Sequence, residues 1–131
     1  MDKETRPYIA WDVVQDFMVK AFTELGVPEA DAEICAEVLM ESDRRGIESH
    51  GVNRFKPIYV DRINKAILNP VTEVDIIRES PTTAVLDAND GMGMVASKMA
   101  MDMAIEKAKK YGTACVPVRN SSHYGIAGNW T

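Results

Sequence analysis

Cysteine, histidine and long apolar runs are all scarce in this sequence. Its two cysteines, Cys35 and Cys115, stand far apart, each between apolar neighbours. A secreted mini-protein stapled by disulfides needs more of them at closer spacing, so both are expected as reduced, buried thiols. No apolar stretch is long enough to cross a bilayer, and the opening MDKETRPYIAW mixes charge signs without the apolar run of a signal peptide. The expectation is a cytoplasmic protein with no membrane partner. Basic residues are also short: 15 Lys and Arg against 20 Asp and Glu leave a formal net charge of -5. That balance works against a phosphate-gripping surface and so against nucleic acid as a partner. Two distant histidines with no Cys, Asp or Glu clustered beside them at ligand spacing make no case for a metal.

What remains is the composition of one folded core: 131 residues, 46% apolar and 27% charged. Over residues 10–25, Val14, Phe17, Met18, Ala21, Phe22 and Leu25 fall on one stripe of an amphipathic helix, which Gly26 and Pro28 end. A second helix is expected from Glu29 to Arg45. Ala30, Ile34, Val38 and Leu39 would face inward, with Glu33, Glu37 and Glu41 in solvent and Gly46 as the stop. A third pattern places Val52, Phe55, Tyr59 and Ile63 on one face, with Pro57 breaking or restarting the helix. After Asn69 and Pro70 the periodicity changes. The runs 74–77 and 83–88 read as paired strands, 95–111 as a helix on Val95, Met99, Met103 or Ala104, and Ala108, and 113–118 as a buried strand. A further helix begins at Ile126 and is cut short at Thr131, which implies a missing C-terminal continuation. The fold class is therefore α+β. A three-helix region over 1–69 precedes the first strands and helix of a mixed-sheet domain, 70–131, incomplete at its C-terminus.

Both histidines lie in loops: Ser49-His50-Gly51 and Ser122-His123-Tyr124-Gly125. Imidazole exchanges a proton near neutrality, so each is a candidate acid or base, set against the plainer reading of a cap or surface residue. His123 follows a strand and precedes a helix start, where open sheets place ligands, and Gly125 and Gly128 would allow close backbone approach. Arg54, one helical turn beyond His50, could grip a carboxylate through paired hydrogen bonds. Arg44, Arg45, Lys56 and Arg62 read instead as solvated or paired with Glu41, Glu48 and Asp61. Gly91-Met92-Gly93 is half of a dinucleotide fingerprint without its third glycine, and reads as a turn. The methionines crowded between Met92 and Met103 read as core or interface filling.

These same loops carry a resemblance. SDRRGIESHGVNRFKPIYVDRI, residues 42–63, resembles the D-x-R-G-x-x-S-H-G-x-x-R segment of the malate/L-lactate dehydrogenase family, and NSSHYGIAG, residues 120–128, is similar to its N-S-x-H-x-G-x-A-G stretch. The resemblance covers nearly the whole chain but well under half of a complete family member. It implies a fold unlike the Rossmann dehydrogenases, a homodimer, and a hydride exchanged between NAD or NADP and a small 2-hydroxy or 2-oxo acid. It also implies that His123 or His50 is the proton acceptor or donor, and that Ser49 and Arg54 line the substrate pocket. Ser122, beside His123, is a further candidate for substrate contact. Cofactor-binding segments would lie mostly beyond residue 131, so the isolated chain is expected to be inactive. Trp130 departs from the tyrosine common in the family. The competing reading is a truncated, non-catalytic paralogue that docks through apolar faces around Phe17, Phe55 and Tyr59.

Overall fold

The computed structural model describes residues 7–130; residues 1–6, which entered the reading of the N-terminus, and Thr131, which entered that of the C-terminus, lie outside it. Two long helices come first, α1 (Trp11–Glu24) and α2 (Glu29–Arg44), packed against each other. Their contact stripe holds Met18, Phe22, Ala32, Cys35, Ala36, Leu39 and Met40, all fully buried. Phe17 and Ala30 point outward instead of inward. One position on a helix turns the side chain by about 100°, and it is Met18 and Phe22, not Phe17, that face α2.

Beyond α2 the backbone tightens into two single-turn 3-10 segments, Glu48–His50 and Val52–Arg54, then widens into a π-helical stretch, Phe55–Val60, running into the short α3 (Asp61–Asn64). Pro57 neither breaks nor restarts this run. It sits in its first turn, where a missing N–H leaves no ladder bond unmade. Phe55 and Tyr59 are buried, so of the three aromatic residues that the docking-module reading needs, Phe17 alone is exposed.

The second half is a mixed three-stranded sheet in the order β1–β2–β3, with β1 (Asp75–Glu79) antiparallel to β2 (Ala84–Asp87) and β3 (Val118–Arg119) parallel to it. Helix α4 (Gly93–Tyr111) crosses from β2 to β3, ending at Gly112 with φ of +87°. Its buried positions are Met94, Ala96 and Ala100, while Met99 is exposed. The run 113–118 is not a buried strand. It makes one bridge, Thr83 to Cys115, and then the short β3 at the sheet edge, where alternate side chains face out; Cys115 is exposed, unlike Cys35. Among the described residues no helix is long and apolar enough to cross a membrane. The main core joins the halves, because Met92 and Met94 at the start of α4 pack with the helical region, while Ala100 further along packs with Ala84 and Leu86 of the sheet.

Candidate active site

The first histidine is positioned by the end of α2. Asp43 in the helix's last turn accepts the Val52 N–H at 2.8 Å, which pins the chain just after His50. Gly51 is needed there: a Cβ on it would collide with the Asp43 carboxylate. The Ser49 hydroxyl lies 2.9 Å from His50 Nδ1, and the Arg54 Nε–H donates to the Ser49 carbonyl at 2.6 Å. His50, Ser49 and Arg54 thus form one local unit. Nε is the only guanidinium nitrogen of Arg54 with a partner among the described residues, so its terminal donors are unused. Arg44, Arg45 and Lys56 pair with Glu37, Glu41 and Asp61. Arg62, grouped with them on sequence, has no such ion pair among the described residues.

A buried carboxylate organises the second loop. Asp87, at the end of β2, accepts the Asn89 N–H at 2.9 Å, Arg119 Nε–H at 2.7 Å and the Asn120 side-chain amide at 2.9 Å. These donors, the Asn89 backbone first and then the Arg119 and Asn120 side chains, hold its carboxyl below the usual range. Ser122 then clips the loop to the start of α4. Its hydroxyl accepts the Gly93 N–H at 2.8 Å and donates to the Gly91 carbonyl at 3.0 Å. Gly93 carries the approach, since a Cβ there would run into the carbonyl oxygens of both Ser122 and His123. The hydroxyl of Ser122 is therefore directed to α4 rather than toward His50 and Arg54.

The two loops deliver their histidines to one place. The rings of His50 and His123 stack with centroids 5.6 Å apart and planes 22° from parallel. Behind them stands an edge-to-face series, Phe55 on Phe22 at 4.9 Å, Phe22 on Tyr59 at 5.7 Å, and Tyr59 on His123 at 5.7 Å. Such contacts contribute about 0.5–1.5 kcal/mol each beyond the area they bury, and here they lock the His123 ring to the helical core. The Tyr59 hydroxyl lies 2.5 Å from His123 Nδ1 and 3.1 Å from the His123 carbonyl oxygen. His123 Nε2 is buried and has no hydrogen-bond partner among the described residues. Burial lowers the His123 pKa below its ordinary 6.5, and the electrostatic influence of the neighbouring His50, Arg54 and Arg62 lowers it further. Both effects favour the neutral ring, with the guanidinium groups of Arg54 and Arg62 contributing in an otherwise acidic chain. Such a site can take a proton from a bound hydroxyl while an adjacent guanidinium holds an anion.

Sequence reasoning found the histidines, Ser49 and Arg54, but not the residues that set them. Tyr59 registered only as a core position, Asp43 only as the first residue of the quoted motif with no role of its own, Asp87 only as part of a strand, and Gly93 as part of a turn. Asp43 and Asp87 each lie within a few residues of a glycine or asparagine turn, the one local sign that a carboxylate is bonding backbone N–H groups. An open groove of about 630 Å³ between α4 and the sheet edge is lined by Ala100, Met101, Cys115, Val118 and their neighbours, and includes neither histidine.

Comparison with known proteins identifies relatives of this fold. A malate dehydrogenase of Pyrococcus abyssi is 51% identical over 117 residues, covering 89% of this chain and 32% of the relative. An L-sulfolactate dehydrogenase of Methanocaldococcus jannaschii is 42% identical over 114 residues, 87% of this chain and 33% of the relative. The malate dehydrogenase structure from Pyrococcus horikoshii superposes with a TM-score of 0.93 at 43% identity, over 99% of this chain and 37% of that one. A malate dehydrogenase structure from Entamoeba histolytica gives 0.92 at 45%, over 95% and 34%. The chain thus spans about a third of the length of the curated relatives it matches. The family profile described as malate/L-lactate dehydrogenase matches residues 9–131, and the chain belongs to that family.

Proposed function

We propose that this chain is the acid/base and carboxylate-binding part of a longer NAD- or NADP-dependent dehydrogenase, one that interconverts a small 2-hydroxy acid, such as malate, lactate or sulfolactate, with its 2-oxo acid. The observation that carries the reading is the stacked histidine pair, with the buried, unpartnered Nε2 of His123 beside Arg54 and Arg62. Relatives named malate, sulfolactate and ureidoglycolate dehydrogenase support it.

In the oxidising direction the 2-hydroxyl hydrogen-bonds to Nε2 of His123. As the C2–O bond gains double-bond character, that nitrogen takes the hydroxyl proton. A neutral imidazole is required, and burial among positive charges keeps it so. The free donors of Arg54 hold the substrate carboxylate, which fixes C2 and its hydroxyl against the ring. A bound nicotinamide supplies the acceptor for the C2 hydride. A buried proton acceptor with an unpartnered lone pair fits a site beside such a group, because the two transfers must occur at adjacent atoms of one carbon–oxygen unit. In reduction the same histidine, protonated, returns the proton to the developing alkoxide. His50, exposed and stacked on His123, forms the solvent-facing side of the site.

The test is the full-length protein assayed with malate, lactate and sulfolactate, each with NAD and NADP. One of these pairs should turn over, and His123→Ala should lower its kcat by about a hundredfold or more. Near-normal turnover in that variant would overturn the assignment.

A further inference from the structure

The Tyr59 hydroxyl faces three acceptors but carries one proton: His123 Nδ1 at 2.5 Å, the His123 carbonyl oxygen at 3.1 Å and Met94 Sδ at 3.6 Å. Where that proton goes decides which nitrogen of His123 is bare. If the hydroxyl donated to Nδ1, the tyrosine oxygen would face the His123 carbonyl with no hydrogen between two acceptors. That carbonyl would then have no donor at all, since Tyr59 is its only hydrogen-bond partner among the described residues. An unpaired carbonyl in this part-buried position is costly, and a thioether is too weak an acceptor to redirect the hydroxyl. The opposite assignment forgoes only the long contact from the Gly125 N–H to Nδ1. The hydroxyl donates to the carbonyl, and Nδ1–H donates to the phenol oxygen. The Gly125 N–H, 3.4 Å from Nδ1, is at the long limit of hydrogen bonding, so giving up that contact costs less than leaving both the His123 carbonyl and a hydrogen on Nε2 unpaired. Nε2 is left without a hydrogen, which accords with its having no acceptor nearby.

We propose that Tyr59 is a positioning residue that fixes His123 as the Nδ1–H tautomer, so that Nε2 presents a lone pair to the substrate hydroxyl. The inference rests on the dehydrogenase reading for its purpose but not for its geometry. Tyr59 suits the task because it is fully buried and burial pushes its phenol pKa up, so it neither ionises nor rotates to water. It is also held between Phe22 and His123 by edge-to-face contacts. It lies in the π-helical stretch Phe55–Val60, and such stretches rotate the residues that follow relative to an α-helix, which is why they recur at functional sites. Arg54, just before the stretch, can thus serve the His50 side while Tyr59, within it, serves the His123 side.

The tautomer can be read directly, without substrate or cofactor. Long-range proton–nitrogen correlation spectra of ¹⁵N-histidine-labelled full-length protein, with His123 assigned by its loss in His123→Gln, should show a protonated Nδ1 and a bare Nε2 at neutral pH. In Tyr59→Phe, which keeps the ring and its packing, the His123 signals should move toward the Nε2–H form that solvated imidazole prefers. kcat should fall by about a hundredfold or more, the scale on which a wrong tautomer disables a catalytic histidine, with KM for the 2-hydroxy acid little changed. An Nε2–H signal in the unaltered protein overturns the proposal, as does an unchanged tautomer in the Phe variant. Full activity in His123→Ala would instead defeat the dehydrogenase assignment and leave the tautomer result standing.

Discussion

Arg54 and Arg62 are the guanidinium groups whose charge acts on His123, and they differ in what they already hold. Arg54 is tied by Nε to the Ser49 carbonyl, which aims its remaining donors and relieves a substrate of the entropy of ordering them. Replacing it with Met should raise KM for the 2-hydroxy acid roughly tenfold or more, the worth of a charge-assisted pair, with a smaller effect on kcat, in steady-state assays. An unchanged KM would remove Arg54 from the carboxylate site. The sign of the pH dependence follows from His123. Its pKa in the fold lies below 6.5, so the acid limb of kcat/KM for oxidation should have its midpoint below 6.5, where the base takes up its proton. Stability moves the same way. An unfolded His123 binds its proton near 6.5 while the folded one resists to lower pH, so the unfolded chain holds more protons in that window and stability falls as pH drops through it. His123→Ala should flatten this part of the curve in denaturant titrations.

The elements that hold these residues are tight turns and the starts and ends of helices, and their tolerances are narrow. At Gly93 a methyl group would strike two backbone carbonyls, those of Ser122 and His123, and backbone cannot swing aside as a side chain can. Gly93→Ala should therefore cost about 1–3 kcal/mol, as overpacking does, and should lower kcat by displacing His123; denaturation midpoints and turnover measured on the same sample check both. The sequence disclosed α1 and α2 because apolar residues recurring every three or four positions line up only when the chain is wound as a helix. It disclosed β1 and β2 because the β-branched runs around Ile76 and Val85 are short and bounded by turns. Its reading failed where the rule depends on distant chain. Phe17 shares the stripe of Met18 and Phe22 on paper, but only the placement of α2 decides which edge of a stripe is covered. The π-helical turn at Pro57 has no periodic signature, so a proline in a first turn looked like a break. Cys115 and Val116 have the composition of a central strand, yet sheet order places them at an edge. The role of Tyr59 was hidden for the same reason: a buried aromatic residue is bland until its hydroxyl is seen to meet a histidine far along the chain.

At the scale of the whole molecule, the site exists because α4 belongs to two cores. His50 comes from the helical half and His123 from a loop of the sheet half, and their rings meet only if those halves keep one relative position. Three ties hold it. Met92 and Met94 sink into the helical core, Arg45 donates to the Gly128 carbonyl at 3.2 Å, and Gly125 rests against Val38 of α2. Met94 is the most informative of these, being fully buried and 3.6 Å from the Tyr59 hydroxyl through its sulfur. Truncating it removes packing between the halves and opens a cavity behind the residue that supports His123. Met94→Ala in the full-length protein should cost about 2–5 kcal/mol, as buried Met truncations do, and should reduce kcat as well, since the ring it backs loses its support. Met99, on the same helix but 37% exposed, provides the control: its alanine variant should stay within about 0.5 kcal/mol of the parent with kcat unaltered. Thermal unfolding and turnover of the two variants separate a helix that merely stabilises the fold from one that couples its halves. A Met94→Ala protein that is destabilised but fully active would show that the histidines keep their stacking without that tie.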